Sequence, residues 1–130
     1  MILGIGLDLI ETARVKRSLE NPGFIKKVFT AGEQEYLQKR SGNAQSAAGI
    51  FAAKEAVSKA LGTGFGPISL QEVEIMWNEN GKPGVRLTGA ALKRMQDMGG
   101  RRILVSITHI RELAAAQAVI DGEPIKGPTR

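Results

Sequence analysis

Cysteine is absent from the 130 residues and histidine occurs once. The chain therefore has no disulfide, no thiolate zinc site and no His-rich metal cluster, and any metal it binds is a hard cation held by oxygen. Aromatic residues make up only 5% of the chain. That is too few for the interleaved basic and aromatic surface on which single-stranded nucleic acid stacks, so no nucleic-acid partner is expected. No unbroken apolar segment reaches the roughly 18 residues of a membrane span, and the N-terminus has no basic stretch leading into an apolar run. The expectation is a soluble, cytoplasmic protein with no membrane partner. Basic charge is in excess: 18 Lys and Arg against 13 Asp and Glu give +5. The excess favours an acidic partner, whether a nucleotide, a nucleic acid or an acidic protein. The length suits one domain with a real core, expected over residues 1–120, with a frayed tail at 121–130. A chain this short often completes its working site by association.

The opening segment reads as an alternating strand with Met1, Leu3, Ile5, Leu7 and Leu9 on one face and Ile2, Gly4, Gly6, Asp8 and Ile10 on the other. Two glycines beside an acid imply a close approach to the backbone, for which a ligand is one candidate. Glu11 to Leu19 reads as a short helix stopped by Asn21-Pro22-Gly23. Thr30-Ala31-Gly32-Glu33 has the form of a capping box and predicts a helix to about Lys39. Ser41-Gly42-Asn43 breaks the chain before a longer helix from about Gln45 to Leu61, ended by Gly62. Val73, Ile75 and Trp77 alternate with Glu72, Glu74 and Met76, Asn78-Glu79-Asn80-Gly81 supplies turn residues, and Val85 to Leu87 returns as a second arm. Leu87, Ala91, Met95 and Met98 mark one face of another helix closed by Gly99-Gly100, before strands at Ile103 to Thr108 and Ala114 to Ile120. This order predicts an α+β fold: one antiparallel sheet with helices packed on one face.

On the long helix Lys54 falls within the apolar stripe of Ala47, Ile50, Val57 and Leu61. It either snorkels to water or serves a phosphate. Glu55 and Lys59 are either a solvated i,i+4 pair or, beside Asp8, a metal carboxylate and a phosphate-binding ammonium. Magnesium takes one or two protein carboxylates and fills its shell with water and substrate phosphates, so Asp8 and Glu55 suffice for Mg²⁺, with Mn²⁺ as a substitute. His109 follows Ser106 and Thr108 at the end of an alternating run. It either closes the strand on a backbone carbonyl or contacts phosphate or acts as a base. Gly62-Thr63-Gly64-Phe65-Gly66 is a phosphate cradle or a helix stop. Arg14, Lys16 and Arg17, with Lys26 and Lys27 beyond, are a solvated face or a dock for an acidic helix.

Ile5-Gly6-Leu7-Asp8, Phe51 to Gly64, Asn80-Gly81-Lys82-Pro83, Ser106-Ile107-Thr108-His109 and the run Ala114-Ala115-Ala116-Gln117-Ala118-Val119 together resemble the holo-acyl-carrier-protein synthase family, the short bacterial 4'-phosphopantetheinyl transferases. The resemblance implies a fold of that type and Mg²⁺-dependent transfer of 4'-phosphopantetheine from coenzyme A to a serine of apo acyl carrier protein, releasing 3',5'-ADP, in fatty acid biosynthesis. By the same resemblance Asp8, Glu55 and Lys59 form the catalytic group, with Asp8 and Glu55 holding the metal. Lys54, Lys59, Gly62, Gly64, Lys82, Pro83, Ser106, Thr108 and His109 would contact coenzyme A, His109 at the 3'-phosphate. Arg14 and Arg17 would dock the carrier. Larger relatives contain two copies of such a fold with coenzyme A between them, whereas short members form trimers with interfacial sites, so a homotrimer is expected.

Two positions depart from family patterns. Larger relatives carry an acid two residues beyond the first aspartate, where this chain has Ile10; this matches the short class. Many relatives carry arginine before the phenylalanine of Phe51-Ala52-Ala53-Lys54-Glu55, where this chain has Ile50. That phosphate contact is missing or supplied elsewhere. The alternatives are a transferase for a specialised polyketide or peptide-synthesis carrier, and a non-catalytic nucleotide-binding module.

Overall fold

The computed structural model describes residues 1–125. Strand β1 (Ile2–Glu11) leads into α1 (Thr12–Ser18), α2 (Pro22–Val28), α3 (Ala31–Lys39) and the long α4 (Ala44–Ala60). A 3-10 turn at Leu70–Glu72 precedes the hairpin of β2 (Val73–Trp77) and β3 (Pro83–Leu87). Then come α5 (Gly89–Asp97), β4 (Gly100–His109) and β5 (Leu113–Gly122). The α+β class matches the reading of the sequence, and so does the element order apart from the unforeseen α2.

Three features differ. The strands form two sheets, not one: β1-β5-β4 and β2-β3, both antiparallel. Alternation marks a strand but does not say which distant strand it pairs with, and β3 comes alongside β4 without a ladder. A groove lined by Val85, Leu87, Leu92, Met95 and Ile103 lies between them. Second, Asn21-Pro22-Gly23 starts a helix. Asn21 caps α2, its side chain accepting from the Gly23 N–H, and Pro22 takes the first helical position, where no N–H is needed. Third, β5 runs on through Asp121 and Gly122, so the chain does not fray at 121; residues 126–130 of the expected tail lie outside the described residues.

The core includes Phe29, Ile50, Leu61, Ile75 and Ile120, but the seam between α4 and the three-stranded sheet is rich in very small residues. Ala47, Ala48, Ala52, Ala53, Ala56 and Ala60 of α4 are buried, as are Ala114, Ala116 and Ala118 of β5. Gly4 and Gly6 complete the contact. A Cβ on Gly4 would run into the carbonyl oxygen of Ala60, and one on Gly6 into that of Ala56. The backbone approached by those glycines is therefore the helix, not a ligand. The opposite face of the sheet carries no helix. Ile5, Leu7 and Leu9 are each more than 60% exposed there.

Candidate active site

Asp8 projects from β1 toward α4, on the face it shares with Gly4 and Gly6. Because those glycines let the helix lie against the strand, Lys59 reaches Asp8: its Nζ lies 3.2 Å from Asp8 Oδ1 and 2.9 Å from the Leu7 carbonyl. The Asp8 side chain is 17% exposed and that of Lys59 51%, so the pair opens to solvent. Glu55 lies one turn before Lys59 on α4. Burial pushes its carboxyl above the ordinary carboxylate range, the charge of Asp8 pushes it further, and Lys59 opposes both. A carboxyl whose ionisation is opposed by burial and by a second acid, with one lysine as counterweight, forms a site that a cation would relieve. Both donors are hard carboxylate oxygens, as magnesium requires. Among the described residues no group of three or more His, Cys, Asp or Glu side chains converges, so a metal here would rely on these two acids, water and substrate.

Lys54 has another place. It is fully buried, with Nζ 2.6 Å from Glu33 Oε1 and 2.6 Å from the Val28 carbonyl. Neither snorkelling nor phosphate contact describes it. Glu33 also accepts from the N–H groups of Thr30, at 2.9 Å, and Ile75, at 2.8 Å. Burial pushes Glu33 up and Lys54 down, and each charge opposes the other's shift. The Glu33 carboxyl accepts from three donors, which together offset part of the cost of burying it.

The glycine loop after α4 stops the helix. Gly62 and Gly64 have φ of 79° and 62°, and the N–H groups of Gly62, Thr63 and Gly64 bond to the carbonyls of Lys59 and Ser58. Those amides are engaged, which removes the cradle expected at Gly62 and Gly64.

His109 lies elsewhere. In register Asp8 pairs with Ala116 and Ala116 with Ile107, so Asp8 and His109 occupy opposite outer strands of the sheet, both facing α4. The helix lies between them. Its C-terminal half meets β1 at Gly4 and Gly6, while Gly49 in its N-terminal half abuts Ile107 of β4. His109 opens into a cavity of about 190 Å³ whose lining includes Ile50, Tyr36, Arg40, Trp77 and Pro83. Pro83 and His109 thus line one cavity, while Lys82 is exposed at the neighbouring turn. Ser106 and Thr108 are exposed and alternate with Ile107 and His109 along β4, which puts them on the helix-free face.

The sequence reading passed over Tyr36, Arg40 and Trp77. The Tyr36 and Trp77 rings stack at 3.8 Å with 2° between planes, and the Arg40 guanidinium sits 4.6 Å over the other part of this stack, at Tyr36. Arg40 forms no ion pair among the described residues, and no carboxylate lines the cavity. The basic Lys39-Arg40 pair after a capped helix was visible in the sequence, but its meeting with residue 77 was not.

A family model described as the 4'-phosphopantetheinyl transferase superfamily matches residues 4–118. The chain belongs to that superfamily. Among curated relatives, the holo-[acyl-carrier-protein] synthase of Clostridium tetani is 45% identical over 126 residues, spanning 96% of this chain and all of the relative. Among solved structures of superfamily members, that of the holo-[acyl-carrier-protein] synthase from Neisseria meningitidis superposes with a TM-score of 0.85 at 29% identity, covering 93% of this chain and 99% of the other. The Bacillus anthracis holo-(acyl-carrier-protein) synthase in complex with CoA (3',5'-ADP) gives a TM-score of 0.78 at 32% identity, covering 95% and 99%.

Proposed function

We propose that the chain transfers 4'-phosphopantetheine from coenzyme A to a serine hydroxyl of apo acyl carrier protein, releasing 3',5'-ADP. The observation that carries this reading is the open cluster of Asp8, Glu55 and Lys59 in a chain that matches the whole length of a relative bearing that enzyme name. In the reaction the serine hydroxyl gives up its proton to solvent and its oxygen bonds to the phosphorus attached to pantetheine, while the bond from that phosphorus to the bridging oxygen breaks and 3',5'-ADP leaves with that oxygen. Asp8 and Glu55 would hold Mg²⁺, which when bound polarises the pyrophosphate and balances its charge. Lys59, released from Asp8, binds a pyrophosphate oxygen. His109 and Arg40 hold the 3'-phosphate, Arg40 giving the cavity the cation that Ile50 does not. The carrier's acidic helix docks on α1, where Arg14 and Arg17 are exposed and form no ion pair among the described residues. Incubation with coenzyme A, Mg²⁺ and apo carrier should add one phosphopantetheine to the mass of the carrier. Full turnover in excess EDTA would refute the metal role, and a panel of apo carriers compared by kcat/KM identifies the preferred one.

The active assembly in this reading is a homotrimer in which His109 of one subunit meets the acids of the next. Two observations support it: the separation of Asp8 from His109 across α4, and the apolar row Ile5, Leu7 and Leu9 left without a helix. Co-refolded Asp8→Ala and His109→Ala chains should recover activity, because some mixed interfaces pair intact acids with an intact histidine. No recovery in mixed trimers verified by native mass spectrometry would place the whole site in one chain.

A further inference from the structure

The β2–β3 hairpin is attached to the rest of the molecule by side chains and not by a ladder, since β2 and β3 pair only with each other. On the outer edge of β2 the Ile75 N–H donates to Glu33 Oε2 at 2.8 Å. Glu74, the preceding residue, accepts from the Thr30 hydroxyl at 2.6 Å and pairs with Arg86 of β3 at 2.7 Å. Glu33 is held in turn by Lys54, and Lys54 by the Val28 carbonyl at the end of α2. Four elements therefore meet at one buried ion pair: α2, α3, α4 and β2. The hairpin hung from it carries Trp77 and Pro83, which face each other in register and both line the His109 cavity.

We propose that Glu33 and Lys54 are a positioning pair: touching no substrate, they act through the Ile75 N–H to fix where the hairpin wall of the nucleotide cavity stands relative to α4. The claim rests on the reading of that cavity as the coenzyme A nucleotide site. A buried ion pair gives little stability over apolar residues of the same volume, because desolvating two charges offsets most of their attraction. What an apolar pair lacks is direction. Leucine against methionine would fill the space and leave the Ile75 N–H with nothing to aim at, so β2 could settle along α3 wherever packing allowed. A carboxylate fixed by a lysine and two backbone donors gives the strand one position. Small displacements of a binding wall are costly in affinity and rate, and Trp77 and Pro83 move with β2.

The test compares wild type with Glu33→Leu/Lys54→Met, which removes charge and acceptor together, and Glu33→Gln/Lys54→Met, which removes the charge but keeps one acceptor. The first should raise the KM for coenzyme A about tenfold, with the KM for carrier and kcat within about twofold of wild type; the second should fall between, near threefold. Titration with 3',5'-ADP, followed by emission of Trp77, the single tryptophan, should show the same order. A proportional rise in both KM values, or an unchanged KM for coenzyme A, overturns the proposal. If the leucine variant does not fold, the glutamine variant decides: 3',5'-ADP affinity equal to wild type overturns the claim, and a loss near threefold supports it. If wild type neither binds 3',5'-ADP nor transfers, the functional reading falls. Amide exchange at Ile75 then judges the positioning claim: faster exchange in the variants supports it, and unchanged exchange overturns it.

Discussion

Helix α4 carries two lysines five residues apart, each against a carboxylate, and the two pairs have opposite characters. Lys54 and Glu33 are both fully buried at 2.6 Å, and each is also bonded to backbone groups. Lys59 and Asp8 lie 3.2 Å apart, the lysine half exposed. The first pair is closed, and separating it would strand a charge in a dry interior. The second can separate at small cost, because water reaches both partners and a phosphate can take the place of Asp8 beside Lys59. The same residue types thus hold the fold together in one place and stand ready for a ligand in the other, and burial makes the difference.

Changes at the open pair and its neighbour Glu55 should have the largest effect, and it should appear in rate alone. Asp8→Ala or Glu55→Gln is expected to lower transfer by about a thousandfold or more, in line with the loss of a charge-stabilising group in phosphoryl transfer, with Tm nearly unchanged. Equal loss of activity and Tm would mean that the acids are structural. Exchanging each lysine sharpens the contrast. Lys54→Met should cost about 3–5 kcal/mol of unfolding free energy by leaving Glu33 unpaired, whereas Lys59→Met should cost at most about 1 kcal/mol and lower kcat instead. Denaturant midpoints and initial rates on the same samples check both; similar midpoints would erase the distinction.

Cations with no carboxylate at all should behave differently again. Charge reversal at Arg14 and Arg17 is expected to raise the KM for carrier and flatten the salt dependence of the rate, with the KM for coenzyme A unmoved, since exposed charges act mainly on encounter. The smallest effect is expected at Glu72, an acid that forms no ion pair among the described residues. Its carboxyl is lowered from 4.5 by hydrogen bonds from the N–H groups of Ser69 and then Ala90. A depressed folded-state value gives stability that is present above the ordinary value and lost as pH falls through the folded one. Thermal melts of Glu72→Gln should therefore match wild type at low pH and fall slightly below it near neutrality; the reverse order would contradict the assignment.

Where the sequence carried a local pattern, the structure was legible in it. The capping box at Thr30 and Glu33, the alternation of β1 and the stop at Gly62 each depend on residues a few positions apart. Asp8, Glu55 and Lys59 were legible as candidates because the family resemblance joined segments that no local rule joins. Lys54 was misread because its partner lies 21 residues away on another helix. Hydrophobic periodicity shows that a charge falls on a buried stripe but cannot supply the charge that meets it. At Asn21-Pro22 the end of α1 was legible and the start of α2 was not, because the same dipeptide that ends one helix is a good start for the next. The Tyr36–Trp77 stack joins residues 41 positions apart and leaves no trace in either segment.

Gly4 and Gly6 bear on how this protein can change over generations. A core of leucines drifts by exchange, one side chain losing a methyl group as its neighbour gains one. The seam between β1 and α4 has nothing to exchange, because a glycine hydrogen faces a carbonyl oxygen at each contact. No second substitution nearby can make room for a first, so each variant at these two positions stands or falls by itself. The spacing of Asp8 from Glu55 is then inherited as a dimension of the backbone, set where lineages have the least freedom to alter it.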